Sequence, residues 1–183
     1  MMHQDHILKH ITIDPTLYVK DIAAIAIPAV HRHGSKEWLY ATLTCQLHGH
    51  VGIYSLLGVK MGLYACEQMK ARFSTLRIIS YAGNTPPISC FNDGLQTSTG
   101  STLGHGLIEV RNNTEPQAEA EFISLDDRLH LRLKNDYAEI IQSEVALAQA
   151  RHGDEIEYWH QIRQLAIRYW LEWDRNSIFE RIE

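Results

Sequence analysis

Residues 51–66 read VGIYSLLGVKMGLYAC and hold one charged side chain, Lys60. A stretch of that kind predicts a helix buried on most sides. Its glycines and Lys60 interrupt it too often for a membrane span. Gly58 and Gly62 stand four residues apart, stripping side chains from one face so that another backbone can approach closely. Just ahead of the run come Cys45, His48 and His50, one thiol and two imidazoles in six residues. A chain that leads a buried helix out of such a cluster is expected to carry a site there.

The chain has 183 residues, enough for one substantial domain with its own core. Its 45% hydrophobic and 21% charged residues are those of an ordinary soluble protein. The net charge of −5 argues against non-specific nucleic-acid binding and against an anionic membrane surface. Three scattered cysteines do not make a disulfide framework, and no secretory leader is evident, so a cytoplasmic protein is expected.

Along the chain, His3, His6 and His10 sit in a polar N-terminal stretch read as a solvated end. Asp14 and Pro15 predict a helix start, Pro28 a kink or an end, and Gly34 a stop. His31 and His33 then favour the negative end of that helix. Residues 38–45 are rich in β-formers and predict a strand, and residues 75–81 a clearer one. A short helix is expected over 90–96, then a Gly- and hydroxyl-rich loop over 99–106 leading into a strand at 107–111. Residues 119–124 and 128–134 predict a hairpin, with Phe122, Leu129, Leu131 and Leu133 inward at period two. Asp136 with Glu139, and Asp154 with Glu157, each resemble a helix capping box, and Gly153 separates the two helices. The second carries the stripe Trp159, Ile162, Ala166, Tyr169, Trp170 and Trp173, aromatics of the kind that fill a core or a subunit interface.

The fold class expected is α+β: a small, mainly antiparallel sheet packed on a central buried helix, plus a C-terminal helical pair. Three segments follow, an N-terminal helical extension over 1–36, a metal-binding domain over 37–135, and C-terminal helices over 136–183. Because the aromatic stripe needs a surface to cover, a homodimer is expected.

Thiolate and imidazole are the donors that zinc and related metals prefer. Cys45, His48 and His50 lie at spacings of three and two, and Cys90, with Asp93 one helical turn on, is the partner expected from elsewhere in the chain. The metal set is therefore read as Cys45, His48, His50 and Cys90, holding zinc or another divalent transition metal. Cys66, inside the apolar run, reads as a small hydrophobe. Thr99, Ser101 and Thr102 offer hydroxyls, and their loop offers backbone N–H groups, to a small anionic ligand.

Two segments add a resemblance. His48-Gly49-His50-Val51, followed by Leu57-Gly58 and Met61-Gly62, resembles the HGHxCPGxxLG opening of the FmdE-like (formylmethanofuran dehydrogenase E-like) family. Residues 90–106, CFNDGLQTSTGSTLGHG, are similar to that family's CxxDAIQxxTGCTxGKGN. The likeness spans roughly residues 38–134, leaving the first helix and the last two outside it. It implies a mixed α+β domain, often dimeric, with a metal-bearing pocket between the HGH segment and the CxxD helix. The family's name comes from an association with molybdenum or tungsten enzymes of one-carbon metabolism, which does not make this chain a dehydrogenase.

The departures are specific. Gly52-Ile53 stands where the family has Cys-Pro, Ser101 where it has the Cys of TGCT, and His105 and Leu107 where it has Lys and Asn. Cys45 either replaces a lost ligand or is incidental. No paired CxxC ribbon, GxGxxG or P-loop is present. Two functions stay open. One is a binding or accessory module whose ion shapes a small-ligand pocket. The other is an enzyme with an open metal position acting on a small anionic or one-carbon-type substrate, with Asp93 or His105 moving the proton.

Overall fold

The computed structural model describes residues 13–112, 115–153 and 155–183. The N-terminal histidines His3, His6 and His10, and Asp154 with its expected cap, lie outside the described residues. Six α-helices run in the order α1 (Lys20–His33), α2 (Ser35–His48), α3 (Ile53–Gln68), α4 (Phe91–Thr99), α5 (Asn135–His152) and α6 (Ile156–Glu172). Five strands, β1 (Arg77–Ser80), β2 (Ile108–Val110), β3 (Glu119–Ile123), β4 (Arg128–Leu133) and β5 (Phe179–Arg181), form one sheet in the order β2-β1-β3-β4-β5. Only β1 and β2 pair in parallel; the other pairs are antiparallel. The α+β class and the mainly antiparallel sheet hold as expected. Among the described residues, no helix is long and apolar enough to cross a membrane.

Helix α3 is the axis of the fold. Between Ile53 and Cys66 every residue but Tyr54 and Tyr64 is buried. Lys60 survives there because Glu37 of α2, itself 1% exposed, accepts from its Nζ at 2.6 Å. Burial still pulls the Lys60 ammonium below its ordinary range, against the pull of Glu37. Arg175, beyond α6, donates to the other Glu37 oxygen at 2.9 Å. Cys66 is buried, and desolvation pushes its thiol up to about 11, in keeping with a packed thiol.

The two glycines in α3 do what their spacing predicts. A Cβ on Gly58 would lie 2.1 Å from the Phe91 carbonyl oxygen, and one on Gly94 would lie 2.0 Å from that of Ser55. Helices α3 and α4 therefore touch backbone to backbone, a separation that only glycine permits on either side.

Four local expectations are corrected. Residues 38–45 are helical, within α2, not a strand. Glu37, Trp38, Ala41 and Thr44 are its buried residues, at helical spacing, and Trp38 stacks on Trp170 of α6 at 4.9 Å. The β-forming threonines are absorbed by back-bonding, Thr42 Oγ1 donating to the Trp38 carbonyl at 3.0 Å and Thr44 Oγ1 to that of Tyr40 at 2.7 Å. Asp14 caps only the single 3₁₀ turn Pro15–Leu17, and α1 starts afresh at Lys20. Pro28 neither ends nor interrupts the assignment of α1, which reaches His33 and stops at Gly34, φ +88°. Asp136 lies inside the first turn of α5, whose cap position is Lys134 with no side-chain bond.

The tail folds back onto its own domain. Tyr169 and Trp170 are buried, and Trp173 stacks on Tyr169 at 4.0 Å. Strand β5, absent from the sequence-based expectation, then adds to the outer edge of β4. The separate segments proposed over 1–36 and 136–183 share one hydrophobic core with the middle of the chain.

Candidate metal and ligand site

Helix α2 ends at His48 because Gly49 takes the left-handed conformation, φ +84°, and returns its N–H to the Cys45 carbonyl at 3.0 Å. The reversal brings the His50 ring beside that of His48, centroids 4.2 Å apart and tilted by 41°. Gly52 then caps α3. From the other side, the glycine contact seats α4 so that Asp93 Oδ2 lies 2.8 Å from His48 Nδ1.

The His48 side chain is 10% exposed, and its second nitrogen, Nε2, is buried with no hydrogen-bond partner. A Cβ on Gly52 would stand 3.2 Å from that nitrogen. The absent side chain thus leaves the flank of Nε2 open. His48, His50, Gly52 and Cys90 line one cavity of about 700 Å³, whose far walls come from α5 and α6. Burial, and then the neighbouring His48, hold the His50 imidazole below its ordinary range, which favours the neutral, ligating form. Burial and then the Asp93 carboxylate push the Cys90 thiol up.

Of the four expected metal ligands, His48, His50 and Cys90 border the same cavity; Cys45 does not. It lines a second cavity of about 450 Å³ with Leu43, Val51 and Arg163, which His50 also borders. Desolvation there pushes the Cys45 thiol up to about 12. Cys45 sits one helical turn before His48, so a spacing of three within a continuing helix sends it to a neighbouring flank instead of around a loop. Among the described residues, no three His, Cys, Asp or Glu side chains are drawn together as closely as a bound ion requires.

The expected ligand loop is spent on the fold. Thr99 Oγ1 donates to the Leu95 carbonyl at 2.6 Å and accepts from the Ser101 N–H at 3.1 Å, while Ser101 Oγ donates to the Leu76 carbonyl at 2.6 Å. Thr102 Oγ1 accepts from the His105 N–H at 3.3 Å, capping the 3₁₀ turn Leu103–His105, and His105 itself is exposed. None of these four residues lines the cavity beside His48. Asp93, the other expected proton-transfer group, is occupied with His48 Nδ1.

Sequence reasoning misses the cavity wall. Ile141 and Val145 of α5, with Tyr158, Trp159 and Ile162 of α6, close the side opposite His48. The signal is present in the spacing of Trp159 and Ile162, but the stripe reads as core or subunit contact. Its members divide: Tyr169 and Trp170 are core, and Trp159 is left 59% exposed at the rim of the cavity.

Fold and site together define an α+β domain whose pocket is edged by the imidazoles and thiol of two closely apposed helix ends. Residues 47–180, well over half the chain, match the family described as FmdE, molybdenum formylmethanofuran dehydrogenase operon, and the chain belongs to that family. The match runs on through α5 and α6, so the expected limit of the resemblance near residue 134 is too short. No curated protein matches the chain.

Proposed function

We propose that this chain is a metal-dependent binding module in which His48, His50 and Cys90 hold a divalent transition metal, zinc first, at the floor of a small-ligand pocket. The observation that carries the reading is the His48 ring, with Nδ1 tied to a carboxylate and Nε2 buried, unpartnered and flanked by a glycine. Buried polar atoms are rarely left unsatisfied, and a carboxylate on the far nitrogen is the usual support of a ligating histidine. Two imidazoles and a thiol suit zinc chemically. When bound, the ion would supply Lewis acidity to whatever donor reaches it. The chain's own part is to hold the His48 ring in one tautomer through Asp93 and to keep His50 neutral. Closing these side chains around one ion requires a small local adjustment, which the single turn Ile88–Cys90 is placed to supply.

The three free thiols among the described residues agree with a reducing cytoplasm. The homodimer keeps a narrower basis, since Ile140, Leu147 and Ile156 are the large apolar side chains of the tail left exposed outside the cavity wall. Light scattering at micromolar concentration checks it, and a monomer removes it.

Zinc equilibrium dialysis with elemental analysis tests the central reading. Wild type is expected to bind one ion, and His48→Ala and Cys90→Ala to lose it with circular dichroism unchanged. Equal zinc content in all three proteins refutes the reading.

A further inference from the structure

An ion accounts for the floor of the cavity and not for its size. About 700 Å³ falls in the range that holds drug-sized organic molecules. Its walls are apolar: Pro87 and Ile88 before α4, Ile141 and Val145 from α5, Trp159 and Ile162 from α6. None of the residues lining it is Lys, Arg, Asp or Glu. The arginine just beyond Trp159, Arg163, is already committed to Asp21 through two bonds of 2.7 and 3.0 Å. A phosphate or carboxylate entering this space would find no compensating charge on its walls.

Two further details mark what does fit. Trp159 is 59% exposed although it is the largest side chain on the rim, and it is steadied edge-on by Tyr158 at 5.0 Å. It is the wall residue with the most apolar surface left to cover. At the other end, the unpartnered His48 Nε2 is open on its Gly52 flank, and Gly52 itself lines the cavity.

We propose that the cavity takes an uncharged, aromatic-bodied small molecule whose head presents one nitrogen or sulfur donor at His48, with the body lying against Trp159. This deepens the metal reading and rests on it, because the donor at the head is the ligand the ion would share. It replaces the small anionic substrate expected from the loop at 99–106.

Isothermal titration calorimetry with 4-phenylimidazole, imidazole and phenyl phosphate, on zinc-loaded and zinc-free full-length protein, tests the class. The zinc-loaded wild type should bind 4-phenylimidazole at least about tenfold more tightly than imidazole, and phenyl phosphate no better than imidazole. Trp159→Ala should remove most of that advantage and leave zinc content unchanged. Gly52→Leu, which fills the flank of Nε2, should abolish binding of both imidazoles. Equal affinities for 4-phenylimidazole and imidazole, or a preference for phenyl phosphate, overturn the proposal. So does a Trp159→Ala variant that binds like wild type. A wild type that binds 4-phenylimidazole only after dilution from a dimer burying Trp159 shows that the occupant is a second copy, and overturns it too. If wild type takes up no zinc, the metal reading fails by itself. The aromatic class then stands or falls on the zinc-free titration, standing if 4-phenylimidazole binds over imidazole in a Trp159-dependent way and falling otherwise.

Discussion

Placing a methyl group on Gly58 sets a known gain against a larger loss. In a helix interior, alanine is favoured over glycine by about 1 kcal/mol. At this position, however, the new Cβ would sit 2.1 Å from the Phe91 carbonyl oxygen and 3.0 Å from the Leu95 nitrogen, where ordinary contact begins near 3.4 Å. The obstructing atoms are main chain, so no rotamer change relieves them, and α4 must move away from α3. Overpacking of this kind costs about 1–3 kcal/mol, with rigid neighbours at the upper end. The net expectation for Gly58→Ala is about 2 kcal/mol of lost stability, a fall in Tm of about 4–8 °C for a chain of this length. Gly62→Ala is the internal control, because its Cβ would meet the Ser98 hydroxyl, the end of a side chain that can turn away. It should cost clearly less. Gly104→Ala, with nothing nearer than 3.9 Å, should be neutral. Urea unfolding of the three variants decides the matter. A Gly58→Ala protein as stable as wild type, or less perturbed than Gly62→Ala, would refute the backbone contact as the feature that seats α4.

Three other outcomes follow from the same geometry. Glu37→Leu strands the buried Lys60 ammonium and should cost roughly 3–5 kcal/mol in chemical unfolding; Lys60→Met should cost less, because Arg175 still neutralises Glu37 at 2.9 Å, and the reverse order would contradict the network. The Arg163 guanidinium holds the Asp21 carboxyl below its ordinary range, so the pair's contribution is present above about pH 4 and is lost as pH falls through the depressed folded value. Urea midpoints of wild type and Asp21→Asn should therefore differ at pH 6 and converge toward pH 2, and a constant gap would disprove the linkage. Asp93→Asn keeps the shape beside His48 Nδ1 but removes the charge, and zinc affinity measured by dialysis should drop about 10–100-fold; undiminished affinity would leave Asp93 a structural residue only.

Much of the architecture is readable wherever one physical signal dominates. The apolar run with its lone lysine marks α3, period-two leucines mark the β3–β4 hairpin, and the Gly58–Gly62 spacing announces a close backbone neighbour. Reading fails where local preference and tertiary packing disagree. Trp38, Thr42 and Thr44 favour strands locally, yet α2 forms because Trp38 packs on Trp170, more than a hundred residues away, and the threonine hydroxyls find carbonyls one turn back. The short β5 has only three residues and depends on a β4 edge that no local pattern reveals. In the site, residue types are easier to read than directions. His48, His50, Cys90 and Asp93 are all marked by spacing, but whether Cys45 shares their cavity depends on α2 remaining helical through His48.

That last dependence ties the fold error to the chemical one. Had residues 38–45 been extended, Cys45 would begin a loop free to bend toward Cys90, and four donors could converge. Because α2 is helical through His48, Cys45 is fixed one turn earlier, in a dry pocket where its thiol is pushed up to about 12. A metal in this chain must then be held by the donors bordering the larger cavity, and Gly52 leaves the flank of His48 Nε2 open instead of supplying a further thiol. Three protein donors and an open side are the arrangement in which an ion keeps a position for an outside ligand. The same glycine that departs from the family motif is therefore the residue on which the binding reading turns.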